Sequence, residues 1–257
     1  MAQGGQEVSA ILEVRDLSRQ FGGFRAVGDV GFSVEKGSIH AVIGPNGAGK
    51  TTLFRLLTGV LKPTTGTVRF KGQVISGRKP NVIARAGLVQ TFQITNIFPR
   101  LGTLESVEAA IMVRRRRTYD FASFLHSSAK VRAEAMDWLD RVGLADSADA
   151  VAGTLSHGDQ RALEVALALS TKPELLLLDE PTAGMSPWET ERTVSLVQEL
   201  ARTERLTVLF SEHDTDVVFG ISDRITVMHR GQVIAEGTPG EVRNNAEVSA
   251  VYLGEEA

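Results

Sequence analysis

The chain has 257 residues, 42% of them hydrophobic, with 28 Lys+Arg against 31 Asp+Glu and a formal net charge of −3. That length suits one large domain or a domain with a sub-lobe, and the near balance of charge argues against a nucleic-acid binder, which is usually basic. There is no cysteine, which excludes a disulfide framework and a thiolate metal site and fits a reducing compartment.

Residues 1–10 are polar and Gly-containing and read as a loose tail rather than a signal peptide. Ile11–Leu17 and Arg25–Val34 alternate apolar and polar positions and read as strands, with a turn at Glu35-Lys-Gly37. Ile39-His-Ala-Val-Ile43 reads as a buried strand, and Thr52–Leu57 continues with helical spacing. Gly66–Phe70 and Gln73–Ile75 form a hairpin pattern around Lys71-Gly72. From Leu104 to Ser170 the pattern turns helical. One helix starts on Thr103 as its cap, and a second, Ala129–Val142, is closed by Gly143. Leu175–Leu178 is a short all-apolar strand. Pro187–Arg205 reads as a long helix capped by Ser186, and Leu206–Phe210 and Arg224–Met228 as strands. Strands alternating with helices after Leu175 predict a parallel, helix-covered sheet. No stretch approaches the ~18 apolar residues that span a bilayer, so a membrane role would come through a partner.

Between strand and helix lies Gly44-Pro45-Asn46-Gly47-Ala48-Gly49-Lys50-Thr51-Thr52, a match to the P-loop pattern G-x-x-x-x-G-K-[ST]. The glycines let backbone N–H groups curl around phosphate oxygens, and the helix N-terminus favours negative charge. Lys50 reaches the outer phosphates and the Thr51 hydroxyl suits Mg²⁺. The pattern therefore predicts binding of a nucleoside triphosphate.

Leu175-Leu-Leu-Leu178-Asp179-Glu180 places two carboxylates at the end of a buried strand, where α/β sheets bind ligands. Asp179 suits holding Mg²⁺ and Glu180 suits polarising the attacking water. Alone, the pair is equally a strand followed by an acidic helix cap. Leu155-Ser156-His157-Gly158-Asp159-Gln160 offers Ser156 as the N-cap of a helix running to Ser170. Alone, those residues favour an ordinary capped helix.

As an ordered set, the P-loop, Gln93, Leu155-Ser-His-Gly158, Leu175–Glu180 and His213 resemble the ATP-binding subunits of ABC transporters, over residues 11–254. The resemblance implies an α/β fold: a P-loop NTPase sheet, an antiparallel β sub-lobe and an inserted helical sub-lobe near residues 92–160. It implies that two such subunits hold ATP and Mg²⁺ between the P-loop of one and the Leu-Ser-x-Gly segment of the other. Phe21 would stack on adenine, although by its residue type alone it reads as core. Gln93 would touch Mg²⁺ and water, His213 the γ-phosphate, and Ser156 and Gly158 the ATP of the opposite subunit. Bland alternatives are a surface amide for Gln93 and a helix cap for His213. The five histidines are scattered along the chain, which argues against a histidine metal site.

Two departures from the family pattern stand out. His157 and Asp159 replace Gly and Gln of the usual Leu-Ser-Gly-Gly-Gln, and Asp159 is expected to face ribose or solvent, weakening ATP-driven dimerisation. Ala183-Gly-Met-Ser186 stands where Ser-x-Leu-Asp is usual, so a carboxylate contact across the dimer is missing. Ala183–Thr190, Gln90–Pro99 and Val251–Glu255 resemble the ATPases of branched-chain amino acid importers. Urea or amide importers, a lipopolysaccharide exporter and a soluble non-transport ABC ATPase are the alternatives. The implied partners are two transmembrane permease subunits, a second nucleotide-binding subunit and, indirectly, a solute-binding protein, with no nucleic acid. The implied location is the cytoplasmic face of the bacterial inner membrane. Arg114–Arg117, four successive positive charges, read as a solvated helix end, with anionic lipid or an acidic partner loop as the alternative.

Overall fold

The computed structural model describes residues 10–91, 97–115 and 129–253. The described residues fall into two compact units, one built from those up to Val89, Glu174–Glu180 and those from Gln198 onward, the other from Gln90–Pro173 and Pro181–Val197.

The first unit opens with β1 (Ala10–Phe21) and β2 (Phe24–Glu35), a long antiparallel hairpin. Leu12, Val14 and Leu17 of β1 and Val27, Val30, Phe32 and Val34 of β2 are buried, as the alternating pattern requires. Next come β3 (Ile39–Ile43), α1 (Lys50–Leu57), β4 (Thr65–Phe70) and β5 (Gln73–Val74). The order β2-β1-β4-β5 makes an antiparallel sheet, with the expected turn at Lys71-Gly72. Two short elements that the sequence reading passed over follow, α2 (Pro80–Ala86) and β6 (Leu88–Thr91).

The second sheet runs in the order β10-β9-β3-β8-β7-β6, with β7 (Leu175–Asp179), β8 (Thr207–Ser211), β9 (Arg224–His229) and β10 (Gln232–Gly237). β3, β7, β8 and β9 pair in parallel, and β10 returns antiparallel along β9. Every residue of β3, β7 and β8 is buried, the continuous apolar reading that parallel strands covered on both faces require. One core joins the two sheets of this unit: Leu12, Leu17, Val30 and Phe70 pack in the same cluster as Leu53, Phe54, Leu57, Leu177 and Leu209. Side chains lock the starts of the parallel strands: Asp223 Oδ2 accepts the Ile39 N–H at 2.7 Å and Thr207 Oγ1 the Gly37 N–H at 2.9 Å.

The second unit is helical: α3 (Thr103–Arg114), α4 (Ala129–Arg141), α5 (His157–Ser170) and the start of α6 (Pro187–Thr203). α3, α4 and α5 pack on one another, and Val107, Ile111, Val131, Ala135, Leu139, Leu163 and Ala166 on them are buried. Two expectations are corrected here. Gly102, not Thr103, is the N-cap of α3. Glu105 accepts the Gly102 N–H at 2.9 Å, while the Thr103 hydroxyl donates to Ala150 O at 2.9 Å. The solvated helix end expected at Arg114–Arg117 is corrected at Arg114, which is part-buried, while Arg115 is exposed yet ion-paired. Arg114 donates to Glu134 Oε1 at 2.8 Å and to Ser170 O at 2.7 Å, and Arg115 to Glu134 Oε2 at 2.6 Å. One carboxylate on α4 thus ties down two guanidiniums from the end of α3, and Arg114 also satisfies a terminal carbonyl of α5. Arg116 and Arg117 lie outside the described residues.

The chain continues with α7 (Thr215–Ile221), α8 (Pro239–Arg243) and α9 (Ala246–Leu253). No helix among the described residues is long and apolar enough to cross a membrane.

Candidate nucleotide site

The P-loop leaves the end of β3 and feeds α1. Its backbone needs glycine at Gly44 and Gly49, which sit at φ +151° and +101°; an added Cβ would lie 2.1 Å from Met228 O and 2.6 Å from Ala26 O. Neighbouring backbone holds the loop in place. Gly231 N–H donates to Ala48 O at 2.9 Å, and Gly28 N–H to Gly231 O at 2.8 Å. Lys50 is buried, and its ammonium donates to the carbonyls of Gly44 and, at 3.3 Å, of Pro45. The cation is thereby folded inside the loop that would wrap a phosphate chain. Thr51 and Thr52 follow in the first turn of α1, half-buried.

The carboxylates arrive on a neighbouring strand. Val42 of β3, Ser211 of β8 and Asp179 of β7 are in register across three adjacent parallel strands. The P-loop, Asp179-Glu180 and Ser211–His213 therefore leave the same edge of the sheet, the edge where open α/β sheets bind ligands. Asp179 is buried and its Oδ1 accepts the Ser211 hydroxyl at 2.6 Å. Glu180 turns the chain at φ +50°, a left-handed conformation unusual for a non-glycine residue. Its N–H donates to Ser211 O at 3.0 Å and to Ser211 Oγ at 3.2 Å. So anchored, Glu180 Oε1 meets His213 Nε2 at 2.8 Å. An ionised carboxylate only accepts, so opposite it Nε2 is the donor.

His213 is not a helix cap. Asp214 fills that role for α7, accepting the N–H groups of Asp216 at 2.9 Å and Val217 at 3.3 Å. The sequence reading gives Ser211 no role of its own. The signal for it is a hydroxyl residue closing an otherwise apolar strand beside the Asp-Glu pair. Phe21 is not core: it is 43% exposed, with the Arg19 guanidinium 4.5 Å above its ring. Gln93 lies outside the described residues.

In the helical unit, Ser156 caps α5 as expected, its Oγ accepting the Asp159 N–H at 3.1 Å. Asp159 is half-buried, and its Oδ2 accepts the hydroxyl of the exposed Ser156 at 2.9 Å. Ser186 caps α6 as expected. Glu189 Oε2 accepts its N–H at 2.8 Å and its hydroxyl at 2.7 Å, and these bonds, the backbone one foremost, hold the Glu189 carboxyl below the usual glutamate range. Gly158 abuts this group: an added Cβ would lie 2.0 Å from Glu189 Oε1.

A family model described as ABC transporter matches residues 27–183. The chain belongs to the ABC transporter family. A second model, described as branched-chain amino acid ATP-binding cassette transporter, matches residues 232–257. The high-affinity branched-chain amino acid transport ATP-binding protein LivG of Salmonella typhimurium is 42% identical over 251 residues, covering 95% of this chain and 98% of that protein. BraF of Pseudomonas aeruginosa, of the same description, matches at the same identity and coverage. Among solved structures, a nucleotide-free ATP-binding cassette from an ABC transporter superposes with a TM-score of 0.82 at 30% identity, covering 95% of this chain and 99% of that one. The ADP conformation of another such cassette gives 0.82 at 31% identity, covering 96% and 99%. The expected fold, a P-loop sheet with antiparallel β and helical parts, is the fold of these ABC cassettes. The chain is an ATP-binding, ATP-hydrolysing member of the family.

Proposed function

We propose that this chain hydrolyses ATP to energise a bacterial importer of branched-chain amino acids. One observation carries the hydrolytic part: Glu180 and His213 meet at 2.8 Å on the sheet edge that also carries the P-loop. In this reading Glu180 polarises the attacking water, and His213 orients Glu180 and contacts the γ-phosphate. Lys50 swings from the Gly44 and Pro45 carbonyls to the phosphates. Gly44, Pro45, Asn46, Gly47, Ala48, Gly49 and Thr52 supply the backbone cradle, and Phe21 stacks on the base. Ser156 and Gly158 address the nucleotide of a partner subunit.

The donor set fits Mg²⁺. Thr51 offers a hydroxyl, and the buried Asp179 a carboxylate already oriented by Ser211, the hard oxygen ligands this ion takes. Gln93 completes the proposed set. When bound, Mg²⁺ would neutralise charge on the outer phosphates.

The amino-acid assignment rests on the named activity of LivG and BraF and on the branched-chain match over residues 232–257. It entails two permease subunits, a second nucleotide-binding subunit, a solute-binding protein and a place on the cytoplasmic face of the inner membrane. Purification from native membranes in mild detergent, then reconstitution in vesicles, tests it. The expected result is two co-purifying polytopic proteins and ATP hydrolysis stimulated by a solute-binding protein loaded with leucine, isoleucine or valine. Stimulation by urea or amides alone would move the substrate assignment, and recovery with ribosomes alone would overturn the transport role.

A further inference from the structure

The Ser156 hydroxyl is committed at both ends. It donates to Asp159 Oδ2 at 2.9 Å and accepts the Asp159 N–H at 3.1 Å. A serine hydroxyl has one proton. While that bond stands, Ser156 has nothing to donate to a phosphate oxygen. The Asp159 carboxylate also sits in the first turn of α5, where the helix dipole favours a negative charge. It thus fills the place an incoming anion would take. Glu189 crowds the same turn at Gly158, but its carboxylate is engaged by Ser186. Asp159 is the carboxylate that engages Ser156.

We propose that Asp159 is a latch on Ser156. In the free subunit it holds the hydroxyl proton, and closure onto nucleotide exchanges the Ser156–Asp159 bond for a Ser156–phosphate bond. The inference rests on the reading that Ser156 faces the nucleotide of a partner subunit. Asp159 is a positioning residue, since it acts through Ser156 and touches no reacting atom. The exchange gives up a charge-assisted bond and leaves a carboxylate beside a triphosphate, so more ATP is needed to populate the closed state. Removing the latch lowers the KM for ATP on the order of tenfold, the factor one such hydrogen bond carries. kcat changes little, because the groups around Glu180 are untouched.

Steady-state ATP hydrolysis by the assembled transporter in lipid vesicles tests this with Asp159→Ala, Ser156→Ala and the double variant of the full chain. Asp159→Ala is expected to lower the KM for ATP, and Ser156→Ala to raise it. The double variant should match Ser156→Ala, because the latch then has nothing to hold. Asp159→Asn keeps the shape without the charge and should lower KM by a smaller factor. It also serves if Asp159→Ala fails to fold. A purely structural cap would show the opposite sign, with a lower Tm and a raised KM for Asp159→Ala, and would overturn the proposal. An equal fall in KM from Asp159→Ala with and without Ser156 would also overturn the latch, yet leave Ser156 at the nucleotide. Unchanged kinetics for Ser156→Ala would remove Ser156 from the nucleotide and overturn both readings.

Discussion

Glu180 and His213, 33 residues apart in the chain, meet at 2.8 Å because Asp179 and Ser211 are paired on adjacent strands. The Ser211 carbonyl and hydroxyl both take the Glu180 N–H. That anchoring holds Glu180 in its left-handed turn and aims its carboxylate at the ring.

If Glu180 polarises the attacking water, Glu180→Gln removes the acceptor of the proton but keeps the shape. Phosphate release is expected to fall by roughly 100- to 10,000-fold, the contribution of a general base, with ATP affinity nearly unchanged by calorimetry. Turnover close to that of the native chain would exclude Glu180 from the chemistry.

Lys50 Nζ donates to the carbonyls of Gly44 and Pro45, and phosphate oxygens would replace them. Lys50→Ala should weaken ATP binding by about 1.5–3 kcal/mol, the worth of a hydrogen bond to a charged group. Calorimetric titration reads it directly. A parallel thermal melt separates lost phosphate contact from a disordered loop.

Glu134 carries two guanidiniums. Burial alone would raise its pKa, but the hydrogen bonds and charges of Arg114 and Arg115 outweigh that and hold it below the usual glutamate value. Its stabilising effect is therefore present above the unfolded glutamate pKa and lost as pH falls through the depressed folded value. Glu134→Ala leaves the two arginines facing each other without a partner carboxylate. Denaturant unfolding at pH 7 should show a loss of about 2 kcal/mol, and the difference from the native chain should shrink in strong acid.

His40 is buried in β3, with Nε2 2.8 Å from Thr226 Oγ1. Burial, aided by the charge of Arg224, pushes its pKa down to about 4. Between that value and the ordinary histidine pKa the unfolded chain binds the proton and the folded chain does not. The contribution of His40 is fully present above pH 6.5 and is lost as pH drops toward 4, by about 3 kcal/mol in all. His40→Gln, which keeps a partner for Thr226, should flatten the slope between pH 6.5 and 5 in urea unfolding curves. An unchanged slope would assign the pH response to other groups.

Much of the molecule was legible in the sequence because its signals are local. The P-loop is nine consecutive residues, Leu175–Glu180 is a strand with its carboxylates attached, and Ser156 and Ser186 cap the helices that follow them. The misses were of two kinds. Pro80–Ala86 and Leu88–Thr91 are too short to show a period, and Gly102 has no side chain to advertise a cap, whereas the neighbouring Thr103 does. The pairing of Arg114 and Arg115 is not legible because their partner, Glu134, lies about twenty residues away.

By itself the sequence determined the family chemistry: phosphate cradle, carboxylate pair, capped signature helix, and the branched-chain resemblance of residues 183–190 and 251–255. The first three are runs of neighbouring residues whose spacing fits the chemistry, and the last is a likeness to a known family. Only the tertiary structure decided which strands are neighbours, and with that the meeting of Glu180 with His213, the anchoring by Ser211 and the clamp on Glu134. It also decided where Asp159 points. Periodicity reports which face of an element is buried, whereas a hydrogen bond needs two atoms within about 3 Å in a set direction. For distant residues that geometry exists only once the chain has packed.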